Sequence, residues 1–316
     1  MIEVVISALL PITVILLLGF FAGFHHDFNK DQASILNKMV MTYALPLTLF
    51  SGLVTSSFNE IIEQKDLALG LFIGMVGFYF LVYFLARNVF KQDIKISALL
   101  ALAIAGPAVP FVGVPVLGTL FGTISSVPIA IASIYMNLVQ VPLTIILLSM
   151  GGGASSDVGQ QPDGKAKTFL HHIQEAIQKP VVWAPLLALV FVLLKIKFPS
   201  PFISSFDLLG KATGGVALFA SGIVLFSYKV RFNKTVLTTV FAKNILVPFA
   251  IWGIVYFLGF PADLVKETVL TMAIPTASIV IMLSIQYNSG QEIFSSVLFL
   301  STILSVLTMG LFIAII

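Results

Sequence analysis

Apolar residues run through this chain in blocks of about twenty, and charge collects in the short stretches between them. The blocks lie near 4–24, 34–57, 67–88, 95–121, 126–149, 180–198, 203–227, 235–258, 264–286 and 292–316. A helix needs about 20 apolar residues to cross a bilayer, so the pattern predicts an all-α membrane protein with ten transmembrane helices. The longest polar stretch, GGGASSDVGQQPDGKAK at 151–167, has the composition of a flexible linker. It divides the chain into a five-helix half at 1–149, a linker at 150–179 and a second five-helix half at 180–316. TFLHHIQEAIQ, just after the linker, reads as a short interfacial helix.

An odd number of spans per half turns the second half upside down relative to the first, the inverted repeat of secondary transporters. Breaker residues support that reading. Phe121-Gly122 recurs as Tyr287-Asn288, and Pro110 falls opposite Thr276 beside Pro275. In the second and seventh blocks Pro46 corresponds to Gly214 and Gly215. The densest cluster is GPAVPFVGVPVLG at 106–118. Proline removes a backbone donor and clashes with the preceding turn, so Gly106, Pro107, Pro110, Gly113 and Pro115 predict an unwound middle in the fourth span. Such backbone persists at membrane depth only where protein or a watery cavity covers it. The ninth block repeats the feature at Pro275, which predicts two broken helices crossing near the midplane. Their half-helix N-termini attract anions and their freed carbonyls attract cations.

Composition agrees: 58% of residues are hydrophobic and 10% charged, against roughly 25% charged in soluble chains. Val4–Phe24 follows Glu3 rather than a basic segment and reads as a retained span, not a leader. Lys and Arg sort eleven to four onto alternate sides of the ten-span layout, which places both termini outside the cell. The net charge of +3 is then a topology signal, not a sign of nucleic-acid binding. With no cysteine, thiolate metal sites, disulfides and cysteine nucleophiles are excluded. His25, His26, His171 and His172 all fall between spans, so no metal or other cofactor is expected.

LNKMVMTYALPLTLFSGL, VGVPVLGTLFG and MAIPTASIVIMLSIQYN, in that order and spacing, resemble the auxin efflux carrier family, which includes malate and malonate permeases. The resemblance implies crossed fourth and ninth spans and elevator-type movement against a scaffold of spans 1, 2, 6 and 7. It implies organic-anion cargo carrying a carboxylate. The plasma membrane is the expected location; H+ with a protonated acid, or Na+ held by the freed carbonyls, are the two options for a coupling ion, and the sequence leaves both these and a homodimer open. One departure stands out. Many members carry asparagine just after the first crossover proline, and this chain has Ala108 there.

Polar residues within apolar blocks are the candidate cargo contacts. Around the first break these are Ala108, Val109 and Pro110 through their backbone, and around the second Pro275, Thr276 and Ser278. Asn137 and Gln140 lie three apart on one face of the fifth span. Lys243 is a basic residue inside the eighth span, where an unpaired cation costs at least about 2.5 kcal/mol, so it must face protein, water or an anion. Ser51 borders the path from the scaffold side, and Lys211 either contacts cargo, pairs with Asp207 one turn earlier or snorkels to the surface.

These features point to a secondary carrier of small carboxylates such as malate or malonate. An intramembrane enzyme would need a catalytic pair within the spans, and no paired aspartates, Ser–His dyad or HExxH occurs there. A passive channel or non-transporting receptor is the alternative, and counterflow separates them, because only a carrier shows trans-stimulation. The orientation has its own test. Single cysteines at Ser155 and Ser57 are expected to react with impermeant thiol reagents from the inside and the outside respectively; the reverse pattern rejects it.

Overall fold

The computed structural model describes residues 2–55, 64–151, 178, 180–194, 196, 198–228 and 230–316. The linker and the TFLHHIQEAIQ segment, with His171 and His172, lie almost wholly outside the described residues, as do Ser57 and Ser155.

The described chain is helical, apart from the crossing described below. In order come α1 (Ile2–Phe24), α2 (Lys30–Gly52), α3 (Lys65–Val89), α4a (Ile94–Ala105), α4b (Val114–Phe121) and α5 (Val127–Gly151). Then follow α6 (Pro180–Leu193), α7 (Ser200–Ser227), α8 (Lys234–Phe257), α9a (Ala262–Ala273), α9b (Ile279–Gln286) and α10 (Gln291–Ile315). Six of these, α2, α3, α5, α7, α8 and α10, are long and apolar enough to cross a membrane. Polar residues start several helices. Asn29 accepts from the amides of Asp31 and Gln32 while Gln32 caps the Asn29 amide in return, and Asp93 and Asn233 each accept from the amide three residues on. Such caps satisfy donors that the first turn leaves unpaired.

The helices α1 and α7 pack along each other, α6 and α7 lie against α2, and α4a lies against α3 and α5. The α1–α7 contact is backbone on backbone. A Cβ at Gly19 would run into the Phe219 carbonyl, and one at Gly222 into the Leu16 carbonyl. Phe20 and Phe226 meet edge to face beside this contact, 5.4 Å between ring centres. Without a hydrophobic force between helices in lipid, close approach through small residues supplies the van der Waals contact.

Wide π-type turns interrupt four of the long helices. They fall at Val40–Ala44 in α2, at Ile73–Gly77 and Leu85–Val89 in α3, at Tyr135–Gln140 in α5, and at Ala242–Leu246 in α8. The turns in α3 and α8 recur 169 residues apart, as do Lys65 and Lys234 at the helix starts. Pro107 and Pro275 recur at 168.

The breaks are narrower than the proline count predicts. The fourth helix loses regular structure only at Gly106–Ala108, then runs through a wide turn at Val109–Gly113 into α4b. Pro115 lies in the first turn of α4b, where its missing N–H is no loss. Pro46 follows the wide turn of α2 and the helix continues through it. The seventh helix runs on through Gly214 and Gly215, and its irregularity falls at Lys211 instead. Glycine permits a bend without forcing one.

Leucine at Gly222 is expected to lower the thermal unfolding temperature of the purified protein sharply, because backbone must separate from backbone. Overpacking costs about 1–3 kcal/mol and more where nothing can yield. Leucine at Gly52, which no neighbouring atom crowds, is the control expected to leave the melt unchanged.

Candidate functional site: the crossing of two broken helices

The two breaks are joined by backbone. Pro107 and Thr276 form an isolated antiparallel bridge. The Ala108 amide donates to the Pro275 carbonyl at 2.9 Å, and the Ala277 amide to the Gly106 carbonyl at 3.1 Å. Each segment thereby supplies the partners that the other lost by leaving the helix. The sequence placed Pro110 opposite Thr276; in three dimensions it is Pro107, three residues earlier, that bridges to Thr276.

Side chains complete the satisfaction. Thr276 donates its hydroxyl to the Ala103 carbonyl at 2.9 Å, and its amide donates to Ser301 Oγ at 3.2 Å. Ser301 Oγ in turn donates to Asn244 Oδ1 at 2.7 Å, and Asn244 Nδ2 donates to the Ser301 carbonyl at 2.8 Å. The wide turn of α8 is thus tied to the second break through α10.

The C-terminal ends of both half-helices receive donors as well. Gln140 Nε2 donates to the Ala105 carbonyl at 3.1 Å and to Met75 in the wide turn of α3 at 2.9 Å. Lys243 Nζ donates to the Met272 carbonyl at 3.2 Å. An amide therefore caps α4a, whereas an ammonium caps α9a, where the negative end of the dipole favours a cation.

The N-terminal ends differ. Before α4b, Pro107 and Pro110 have no N–H, and the Ala108, Val109 and Val112 amides are bonded to backbone carbonyls. Before α9b, the Ser278 and Ile279 amides find no acceptor among the described residues, and Ser278 Oγ is buried without a partner. Ser278 lines a small cavity with Thr276 of the same segment, Ala108 and Val112 of the fourth, Leu218 of α7 and Thr302 of α10. Its volume is about 10 Å³, about enough for one water. A polar cavity of about 410 Å³ opens at the other end of α9b, lined in part by Lys30, Ser34, Val224, Ile285 and Gln291. Ser278 and Ile285 are seven residues apart, about 10 Å along a helix. Between them Asn37 Nδ2 of α2 donates to the Met282 carbonyl at 2.9 Å, leaving Asn37 Oδ1 buried and unpartnered.

Of the sequence candidates, Ala108, Pro275, Thr276 and Ser278 come together at this cavity. The backbone of Val109 and Pro110 lies in the adjoining turn. Gln140 and Lys243 face the half-helix ends, and Asn137 is buried with no hydrogen bond among the described residues. Ser51 donates to Asp207 Oδ1 at 2.6 Å, while Lys211 is exposed. Two contributors escape a sequence reading. Ser301 is one of many serines, and Asn37 carries a faint signal as an amide beside an apolar run.

Comparison with known proteins fits this geometry. A family model described as "Membrane transport protein" matches residues 4–313. The chain belongs to this family of membrane transporters, the auxin efflux carrier family that its motifs resemble. It is similar to "Uncharacterized transporter YfdV" of Escherichia coli (strain K12), 34% identical over 90% of this chain and 88% of that protein. It is also similar to "Putative malonate transporter" of Rhizobium meliloti (strain 1021), at 23% identity over 95% and 92% of the two chains. A third relative, "Lysosomal cholesterol signaling protein" of Mus musculus, is 27% identical over 94% of this chain and 36% of that protein. As a member of a transporter family, this multi-pass membrane protein is not expected to be an enzyme.

Replacing Ser301 by alanine orphans the Thr276 amide and Asn244 Oδ1 together. Each buried unsatisfied group costs about 1–3 kcal/mol. Ser301→Ala is expected to lower the unfolding temperature, whereas Ser204→Ala, at an exposed hydroxyl bonded within its own helix, is expected to leave it unchanged.

Proposed function

We propose that this protein is a secondary carrier of small carboxylates, malonate or malate in size, with the α4–α9 crossing as its cargo site. The observation that carries the reading is the unequal pair of half-helix starts. One loses two donors to Pro107 and Pro110; at the other the Ser278 hydroxyl and the Ser278 and Ile279 amides have no acceptor among the described residues, and Ser278 lines the buried cavity. Donors without acceptors at a helix N-terminus are a carboxylate site in charge and in geometry. Ser278 then does the work of the asparagine that Ala108 replaces. The name of the Rhizobium relative points to the same cargo class.

The carrier works by alternating access of the elevator type. Cargo of several heavy atoms does not fit about 10 Å³, so the site must open, and the cavity already lies between α7 of the scaffold and the moving α4, α9 and α10. The cavity of about 410 Å³ further along α9b, lined by both Lys30 and Asp31, is the cytoplasmic vestibule. Asn37–Met282 spans scaffold and moving helix between the two. Recurrence of wide turns and breaks at 168–169 residues supports ten spans as two inverted repeats, with both termini outside the plasma membrane. H+ or Na+ accompanies the anion as coupling ion.

Proteoliposomes holding the purified protein are expected to take up labelled malonate or malate saturably and to show trans-stimulation by unlabelled carboxylate inside. No saturable uptake across a panel of small carboxylates would sink the reading. A hydrogen bond to a charged group is worth about 1.5–3 kcal/mol, so Ser278→Ala is expected to weaken binding tenfold or more. Asparagine at Ala108 is expected to change selectivity among the acids.

A further inference from the structure

We propose that Lys243 supplies the one fixed counter-charge of the cargo site, so that the carrier prefers monoanions over dianions and over neutral molecules of the same size. This rests on the carboxylate-carrier reading above and narrows it. Lys243 is fully buried in the wide turn of α8 and makes a single hydrogen bond among the described residues, to Met272, whereas an ammonium has three donors. No acidic side chain among the described residues pairs with it; the ion pair they contain is Arg231–Glu292, on exposed side chains.

The elements packed against that turn are the rest of α8, α4a, α9a and α10. Their charged groups are Lys234, Lys95, Asp263, Lys266, Glu267 and Glu292. Glu267 is the acid nearest Met272 along α9a, five residues earlier, about 7.5 Å of helix, and it makes no bond to Lys243. No carboxylate among the described residues compensates the ammonium that Lys243 forms when protonated.

That charge is adjacent to the cargo site without touching it. Pro275, on the cavity wall, is three residues beyond Met272, at most about 11 Å of extended chain. In a water-poor interior salt screens little over that range, and a lone buried charge is costly until an opposite one joins it. One carboxylate beside Ser278 brings the pair to neutrality. A second would leave a net negative charge in the moving body, and a neutral cargo would leave the ammonium bare. The position matching Lys243 in the wide turn of α3 is Gly74, so the repeat adds no second ammonium there.

The test compares malonate, its monomethyl ester and its dimethyl ester, each step removing one negative charge and adding one methyl group. Binding to purified protein in detergent is measured by calorimetry at one fixed pH slightly below neutral. The wild type is expected to bind the monoester at least tenfold more tightly than either neighbour. Lys243→Gln keeps an N–H for Met272 and is expected to reduce the monoester-to-diester preference at least tenfold, whereas Lys243→Arg retains it. A purely structural cap would weaken all three ligands alike and leave that ratio unchanged, which overturns the proposal. Tighter wild-type binding of malonate than of its monoester overturns it too, even if the glutamine variant does not fold. Failure of the wild type to bind any of the acids removes the carrier reading as well, so the two failures are told apart.

Discussion

Backbone polar groups deep in an apolar protein must find partners, and the antiparallel bridge between Pro107 and Thr276 is how this chain meets that demand where two helices stop. Once the breaks face each other, each lends the other a carbonyl and an amide. The half-helices are then fixed in direction, with the C-terminal ends of α4a and α9a and the N-terminal ends of α4b and α9b meeting in one place. The wide turns of α3 and α8 and the polar residues of α5 and α10 are arranged around that meeting point. Gln140, Lys243, Asn244 and Ser301 are all buried and all bonded to carbonyls or side chains of the crossing region.

The two breaks resemble each other in backbone and differ in chemistry. Proline at 107 and 110 removes donors from the first, and the Ala108, Val109 and Val112 amides are spent on backbone carbonyls. The second has one proline, and its helix starts with donors to spare. The C-terminal ends are unequal in the same sense, an amide on one and an ammonium on the other. A pseudo-symmetric backbone with an asymmetric set of donors is a sensible way to hold an asymmetric anion, because the frame stays rigid while one face carries the recognition.

Much of this was readable from the chain. Long apolar blocks fix helices at membrane length, since nothing else satisfies the backbone there. The proline–glycine cluster at 106–115 and its mate at 275 mark the breaks, because proline cannot donate. What resisted reading was the extent of each irregularity. Pro46, Gly214, Gly215 and Pro115 look like breakers, but the helix passes through the first three and starts at the fourth, as wide turns and helix starts absorb the missing donors. The register of the crossing also shifted by three residues, from Pro110 to Pro107, because which residues of two distant segments face each other is invisible until the bridge is seen.

Sequence by itself determined the class of the molecule, the place of its two breaks and the absence of thiol chemistry, because these follow from local hydropathy and from what each residue type can donate. Tertiary structure alone decided which donors are left over. Whether Ser278 is free, Ser301 engaged or Lys243 unpaired depends on the carbonyls and carboxylates that distant helices bring within 3 Å or so. Local propensity does not encode the direction in which a neighbour points its acceptor.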